Sequence, residues 1–185
     1  MMPPTDACSC CDALRHRPVD RRGLARLLGI GGIAMALPFA AHAARAAEGD
    51  YGAMLLSCID PRMVTPVFKY MDAQNLSGKY SQFCIAGAAI AVVAPKFEAW
   101  RPAFWDNLAT SVELHHLNKV IAIDHRDCGA ARIAYGDDSI ANPQVETKTH
   151  REALAEFRAA VANHHPQLTV VTGLMALDGS LEMFS

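Results

Sequence analysis

The chain has no dominant charge, no apolar run long enough to cross a membrane, and too few cysteines for a disulfide scaffold. Its formal net charge is −2 and its sequence pI is about 6.4, which argues against a dedicated nucleic-acid partner. No uninterrupted apolar stretch reaches the roughly 20 residues that a spanning helix needs. Six cysteines in 185 residues are too few for a disulfide-stapled mini-protein. These limits leave one small globular domain, with or without a targeting segment.

Residues 1–46 have the pattern of an export signal. The pair Arg21-Arg22 precedes a stretch of apolar and small residues, 27–41, which ends in Ala-x-Ala sites at Ala43 and Ala46. A basic region, a short apolar region and such sites predict export, and the paired arginines indicate the twin-arginine route. A buried N-terminal helix and an uncleaved membrane anchor are the alternatives. We expect transient contact with the twin-arginine machinery, a periplasmic location and removal of residues 1–46.

Removal of that segment would leave a mildly acidic domain with three cysteines. Six of the 17 basic residues but only three of the 19 acidic residues lie in residues 1–46. Cys58, Cys84 and Cys128 remain, and an odd number does not suit a disulfide framework. Because a twin-arginine substrate crosses the membrane already folded, it can acquire a metal ion beforehand. The remaining thiols therefore favour metal chemistry over disulfide bonding.

Short apolar segments alternate with helix-period stretches in the predicted domain, residues 47–185. Four segments are predicted to be buried strands: 53–58, 82–86, 119–124 and 168–174. Two stretches, 104–117 and 146–164, place apolar residues at helical spacing: Trp105, Leu108 and Val112, and then Leu154, Phe157 and Val161. Asp178-Gly179-Ser180 predicts a turn near a C-terminal hairpin or edge strand. This order predicts an α/β fold with a mostly parallel sheet flanked by helices.

Chemically active side chains follow two of these strands. Cys58-Ile-Asp60-Pro-Arg62 comes after the first strand, and His125-Arg-Asp-Cys128-Gly129 comes after the third. In a parallel sheet both loops emerge at the carboxyl edge, where ligand sites gather. Two thiols and one imidazole are good zinc ligands, and a three-residue set with an open fourth position is the catalytic pattern. We therefore predict a zinc site made by Cys58, His125 and Cys128.

These motifs resemble C-x-D-x-R and H-x-x-C of the β-class carbonic anhydrases. The Ala86-Gly87 turn, the run from Asn107 to Val120 and the strand near Val170 resemble further parts of that family in the same order, so the likeness spans about residues 54–181. The resemblance implies one Zn²⁺ per subunit on Cys58, His125 and Cys128. It also implies an Asp60–Arg62 dyad that orients the zinc-bound hydroxide for reversible hydration of CO₂, and a homodimer or higher homo-oligomer.

The chain departs from the family pattern at several positions. Pro61 replaces a serine or alanine, Cys84-Ile85 replaces an Arg-Asn pair, and Asp124 replaces a glycine. The pocket glutamine of plant-type members has no evident counterpart between Arg62 and Gly87. These changes keep two alternatives open, namely a zinc-dependent CS₂ or COS hydrolase and a non-catalytic zinc-binding protein. Asp60 as a further zinc ligand in a closed resting form is also left open.

Four other residues have weaker functional interpretations. Cys84 is predicted to be a small core residue rather than a fourth ligand. His115, His116 and His150 are candidate proton shuttles, but each is first interpreted as a surface or helix-face histidine.

Overall fold

The computed structural model describes residues 51–185, so the predicted export signal and its alternatives lie outside the described residues. Its strands are β1 (Ala53–Ser57), β2 (Tyr80–Cys84), β3 (Lys119–His125), β4 (Thr169–Met175) and β5 (Leu181–Phe184). Its α-helices are α1 (Val64–Ala73), α2 (Ala89–Val93), α3 (Arg101–His115), α4 (Gly129–Tyr135) and α5 (Pro143–His164). Short 3₁₀ turns occupy Pro61–Met63, Pro95–Trp100 and Asp137–Ile140. Among residues 51–185, no helix is both long and apolar enough to cross a bilayer.

The five strands form one sheet in the order β2-β1-β3-β4-β5. The pairs β2–β1, β1–β3 and β3–β4 are parallel, and β5 returns antiparallel to β4 after the turn at Asp178–Ser180. The predicted α/β fold with a mostly parallel sheet is therefore confirmed. The predicted second strand, 82–86, is displaced by two residues, because the chain turns away through Gly87, whose φ is +88°.

Alternating side chains of the central strands fill a core on each side of the sheet. Met54 and Leu56 point to the larger core, which also contains Phe104, Phe157 and Leu154. Leu55 and the β3 residues Ile121 and Ile123 point to the other core, beneath Met71 of α1. Because both faces of β1 and β3 are covered, these strands have the near-continuous apolar sequences of a buried parallel sheet.

Both long helices bury part of one face, and α5 also has a local reason to begin where it does. Pro143 occupies the first position of α5, and the Asn142 side chain accepts hydrogen bonds from the amides of Gln144 and Val145. Leu154, Phe157 and Val161 are buried as predicted. In α3 the fully buried positions are Phe104 and Leu108, whereas the predicted face residue Trp105 is half-buried and stacks on His164 with ring centroids 4.0 Å apart.

The sheet topology positions the candidate site. Because β1 and β3 are parallel neighbours, the loops that follow them leave the same edge of the sheet side by side. The loop after β1 becomes a 3₁₀ turn that Asp60 caps by accepting from the Arg62 amide, with Pro61 at its first position. The loop after β3 runs into α4, with Cys128 at the N-cap position.

Candidate metal centre

Three potential metal ligands meet at the carboxyl edge of the sheet. Cys58 follows β1, His125 is the last residue of β3, and Cys128 directly precedes α4. One ligand atom from each lies within 4.8 Å of the other two. His125 and Cys128 are buried, and Cys58 is half-buried. The structure thus brings together the three residues that the sequence motifs single out, and they could hold one metal ion.

The hydrogen bonding of His125 leaves one ring nitrogen for a metal. Its Nδ1 lies 2.8 Å from the backbone oxygen of Arg126. Because a carbonyl oxygen only accepts, Nδ1 carries the proton and Nε2 presents a lone pair. Nε2 is buried and has no hydrogen-bond partner within residues 51–185. A buried, unpartnered imidazole nitrogen facing two thiols is the donor set that Zn²⁺ prefers, so the residues present fit this ion.

The two thiols differ in acidity. A hydrogen bond from Cys128 lowers the pKa of the Cys58 thiol, and burial opposes this shift; the Gly87 amide, 3.2 Å from Cys58 Sγ, lowers the pKa further. The Cys58 thiolate in turn raises the pKa of Cys128, and burial adds to that shift. Cys58 is therefore the first of the pair to become a thiolate, the form that binds metals.

Asp60 and Arg62 form an ion pair beside the three ligand residues. Arg62 Nε lies 3.0 Å from Asp60 Oδ1 and Arg62 Nη2 lies 2.7 Å from Asp60 Oδ2, so the contact is bidentate. Arg62 Nη1 also donates to Asp127 Oδ2 at 2.7 Å. Asp60 Oδ2 is 4.0 Å from His125 Nε2. The guanidinium thus fixes the carboxylate next to the ligand cluster while occupying both of its oxygens.

Arg62 also determines when Asp60 is charged. Its hydrogen bonds lower the pKa of Asp60 from an ordinary 3.8 to about 2. Because the folded-state pKa is depressed, the stabilisation from this ion pair is present above the ordinary value and is lost as the pH falls through about 2. We expect Arg62→Gln to return the Asp60 pKa towards its ordinary value, as measured by carbon NMR of the carboxyl group.

The control for this titration is Asp178, whose pKa is lowered by Ser180. The Asp178 pKa should be the same in Arg62→Gln as in the wild type. An Asp60 carboxyl that stays ionised at about pH 3 in Arg62→Gln would show that Arg62 is not the cause of the shift.

A cavity of about 310 Å³ opens beside Cys58. Met63, Val64, Val67 and Phe68 form its apolar wall, and Ser57, Tyr80, Gln82 and Cys84 lie on the opposite wall. The prediction that Cys84 is a core residue is wrong, because it ends the edge strand β2 and is exposed. Gln82, which the sequence motifs do not single out, also lines the cavity and donates to Cys84 Sγ at 3.1 Å.

None of the three candidate proton-shuttle histidines lines this cavity. His115 ends α3 and lies near the start of β1, where the Tyr51 amide donates to its carbonyl, so it is at the opposite edge of the sheet. His116 follows it and is exposed. Of the two interpretations given for His150, surface or helix-face, the second holds: it lies on the buried face of α5, with its Nδ1 2.8 Å from Asp124 Oδ2. The sequence spacing does not predict the contact between Asp124 and His150, because the two residues are 26 positions apart.

Solved structures with a similar fold include carbonic anhydrases. One from Glaciozyma antarctica is 17% identical with a TM-score of 0.50, and the match covers 94% of this chain and 98% of that one. A tetrameric β-carbonic anhydrase from Sordaria macrospora is 10% identical with a TM-score of 0.50, over 74% of this chain and 82% of that one. At these identities the likeness is one of fold. The chain therefore has a β-carbonic anhydrase-like α/β fold.

Two relatives with higher sequence identity come from Rickettsia. Uncharacterised proteins of Rickettsia conorii and Rickettsia bellii are each 32% identical over 129 residues, which is 70% of this chain and 69% and 79% of theirs. The chain belongs to the same family as these two proteins. No protein-family model matches it.

Proposed function

We propose that this protein catalyses the zinc-dependent, reversible hydration of CO₂ to bicarbonate and a proton. One Zn²⁺ per chain would be held by Cys58, His125 and Cys128. The observation that carries the proposal is the buried Nε2 of His125, which faces two thiols and lies 4.0 Å from a carboxylate held by Arg62. The carbonic anhydrases that share the fold support the same choice.

The ligand set suits a catalytic rather than a structural zinc site. Three protein ligands leave a fourth position for water or substrate, whereas structural zinc is closed by four. When bound, Zn²⁺ lowers the pKa of water and so supplies a hydroxide nucleophile near neutral pH. The Arg126 carbonyl orients the His125 ring, and the Gly87 amide donates to Cys58 Sγ, so the ligands are positioned before the metal arrives.

Asp60 and Arg62 have complementary parts in the proposed reaction. As a carboxylate, Asp60 only accepts hydrogen bonds, so it would hold the hydrogen of the nucleophile and direct its lone pair towards CO₂. Arg62 keeps Asp60 ionised down to about pH 2. Coordination of Asp60 to the metal would compete with the Arg62 Nη2 contact at 2.7 Å. The geometry therefore favours an open resting site over one closed by Asp60.

The cavity next to Cys58 is suited to a small apolar substrate. Its apolar wall of Met63, Val64, Val67 and Phe68 would accept CO₂ without having to displace strongly bound water. The same wall supports a second candidate, hydrolysis of CS₂ or COS, which are likewise linear triatomic molecules but carry larger, more apolar sulfur atoms.

The test is to assay one zinc-loaded preparation in parallel for CO₂ hydration and for CS₂ and COS hydrolysis. We expect CO₂ hydration well above the buffer rate. Turnover of CS₂ or COS alone would replace the proposal with the second candidate. Full zinc occupancy without turnover of any of the three would indicate a non-catalytic zinc-binding protein.

We also propose a homodimer or higher homo-oligomer in which a second copy covers the cavity mouth. Val64 and Phe68 line the cavity and are 68% and 51% exposed, and Ile59, which follows Cys58 in the sequence, is 61% exposed. Exposed apolar side chains at a site are typical of an interaction surface. The structural neighbours from Sordaria macrospora are tetrameric.

We expect Phe68→Glu to shift the protein from dimer to monomer in sedimentation velocity, because it would bury a charge against the second copy. The matched control is Ile133→Glu on α4, where an apolar side chain is 61% exposed outside the cavity. A wild-type protein that sediments as a monomer would contradict the dimer.

Export to the periplasm by the twin-arginine route remains a proposal supported by Arg21-Arg22 and the small-residue stretch that follows. Cell fractionation of the full chain tests it. We expect the processed form in the periplasmic fraction, and full-length protein in the cytosol would contradict it.

A further inference from the structure

Asp124 and His150 form a buried polar pair directly behind the ligand cluster. Asp124 is in β3, immediately before His125, and His150 is in the middle of α5. Both side chains are fully buried, and His150 Nδ1 lies 2.8 Å from Asp124 Oδ2. Because a carboxylate accepts, the imidazole donates from Nδ1. Burying a polar pair costs free energy unless its atoms are hydrogen-bonded. The hydrogen-bond partners of Asp124 and His150 therefore indicate the role of the pair.

The second oxygen of Asp124 holds the start of α2. Asp124 Oδ1 accepts from the amide of Ala89, the first residue of that helix, at 3.0 Å. The residue before it, Ala88, has no side chain able to cap a helix and has a φ of +48°. Asp124 therefore acts as a cap supplied from a different element, and it satisfies a buried amide that would otherwise have no partner. It also stabilises a backbone conformation that alanine rarely adopts.

The turn that Asp124 holds reaches Cys58. Gly87, two residues before Ala89, donates its amide to Cys58 Sγ at 3.2 Å. The turn has little room to move, because a Cβ on Gly87 would lie 2.9 Å from Cβ of Ala130 in α4, and the φ of Gly87 is +88°. A contiguous set of hydrogen bonds and backbone links therefore runs from His150 through Asp124 and the Gly87–Ala89 turn to the sulfur of Cys58.

We propose that Asp124 and His150 are positioning residues that fix the Gly87 amide on Cys58 Sγ and so set the strength of the zinc–thiolate bond. In this chain the buried carboxylate of Asp124 holds the turn through its hydrogen bond with the Ala89 amide. The proposal rests on the proposed zinc site.

The test compares two near-isosteric replacements at position 124. Asp124→Asn keeps an oxygen that can accept from the Ala89 amide, whereas Asp124→Leu has none. We expect Asp124→Leu to weaken Zn²⁺ binding by about 10- to 100-fold, the range typical for loss of such supporting contacts, and Asp124→Asn to restore most of the affinity. Affinity is measured by competition with a chromophoric chelator.

Cobalt substitution supplies a signature that general destabilisation would not produce. An amide that donates to a thiolate stabilises its lone pair, so loss of that bond should move the thiolate-to-Co²⁺ charge-transfer band to longer wavelength. We expect this shift in Asp124→Leu and a smaller shift in His150→Phe. The control is Leu154→Ala, one turn further along α5 and equally buried, which should destabilise the fold without moving the band.

Wild-type zinc affinity and an unmoved cobalt band in folded Asp124→Leu would overturn the proposal. If Asp124→Leu does not fold, the same two results in His150→Phe would overturn it. A wild-type protein that shows no thiolate band with Co²⁺ would instead refute the proposed zinc site itself, so the two failures are distinguishable.

Discussion

We expect Cys58→Ser to abolish both zinc binding and CO₂ hydration. The substitution replaces a thiolate of depressed pKa with a hydroxyl that stays protonated at neutral pH and binds Zn²⁺ poorly. It also removes the sulfur to which the Gly87 amide donates. The measurements are zinc content after dialysis and stopped-flow hydration, which should fall to the rate of buffer alone.

Cys84→Ser is the matched control for this variant. Cys84 lies on the same cavity wall and is also a free thiol, but it is not one of the three clustered ligand residues. Its replacement should leave zinc content unchanged. Equal loss of zinc in both variants, or full zinc retention in Cys58→Ser, would contradict the assignment of Cys58 as a ligand.

Asp60→Asn should separate catalysis from metal binding. The amide cannot accept as a carboxylate does, and its NH₂ group would face the Arg62 guanidinium in place of an oxygen. We expect kcat/KM for CO₂ to fall about 100- to 1,000-fold, equivalent to roughly 3–4 kcal/mol of transition-state stabilisation. Zinc content should stay at one ion per chain, because Asp60 is held by Arg62 and not by the ligand cluster.

Two further variants serve as comparisons for the effect of Asp60→Asn on kcat/KM. Asp127→Asn weakens only the outer contact of Arg62, because it replaces a carboxylate oxygen with an amide oxygen, so its effect on kcat/KM should be smaller than that of Asp60→Asn. Asp137→Asn changes a fully exposed carboxylate on a distant turn and should have no effect. Wild-type kcat/KM in Asp60→Asn would rule out the proposed part of the dyad in catalysis.

The sequence predicted the parts of the fold that carry regular patterns. The strands at 53–58, 119–124 and 168–174 are found within a residue or two, because continuous β-branched and aliphatic runs are typical of central parallel strands. Three helices are not predicted. The helices α2 and α4 have five and seven residues, too few turns to show a helical period. The ten-residue helix α1 is missed as well.

The prediction of the site was limited by contacts between distant residues. Its motifs place Cys58 and His125 after two strands of a parallel sheet, at the same edge, and the structure adds that these strands are neighbours. The exposure of Cys84 depends on the position of β2 at the edge of the sheet, and the burial of His150 depends on a partner in another element. Neither property has a local signal, because both arise only in the assembled fold.

The most direct test of the account is a zinc titration of CO₂ hydration by the chelator-treated protein. We predict that the stopped-flow rate rises in proportion to added Zn²⁺ and stops rising at one ion per chain. A protein that binds one Zn²⁺ per chain and never exceeds the buffer rate would contradict the central claim.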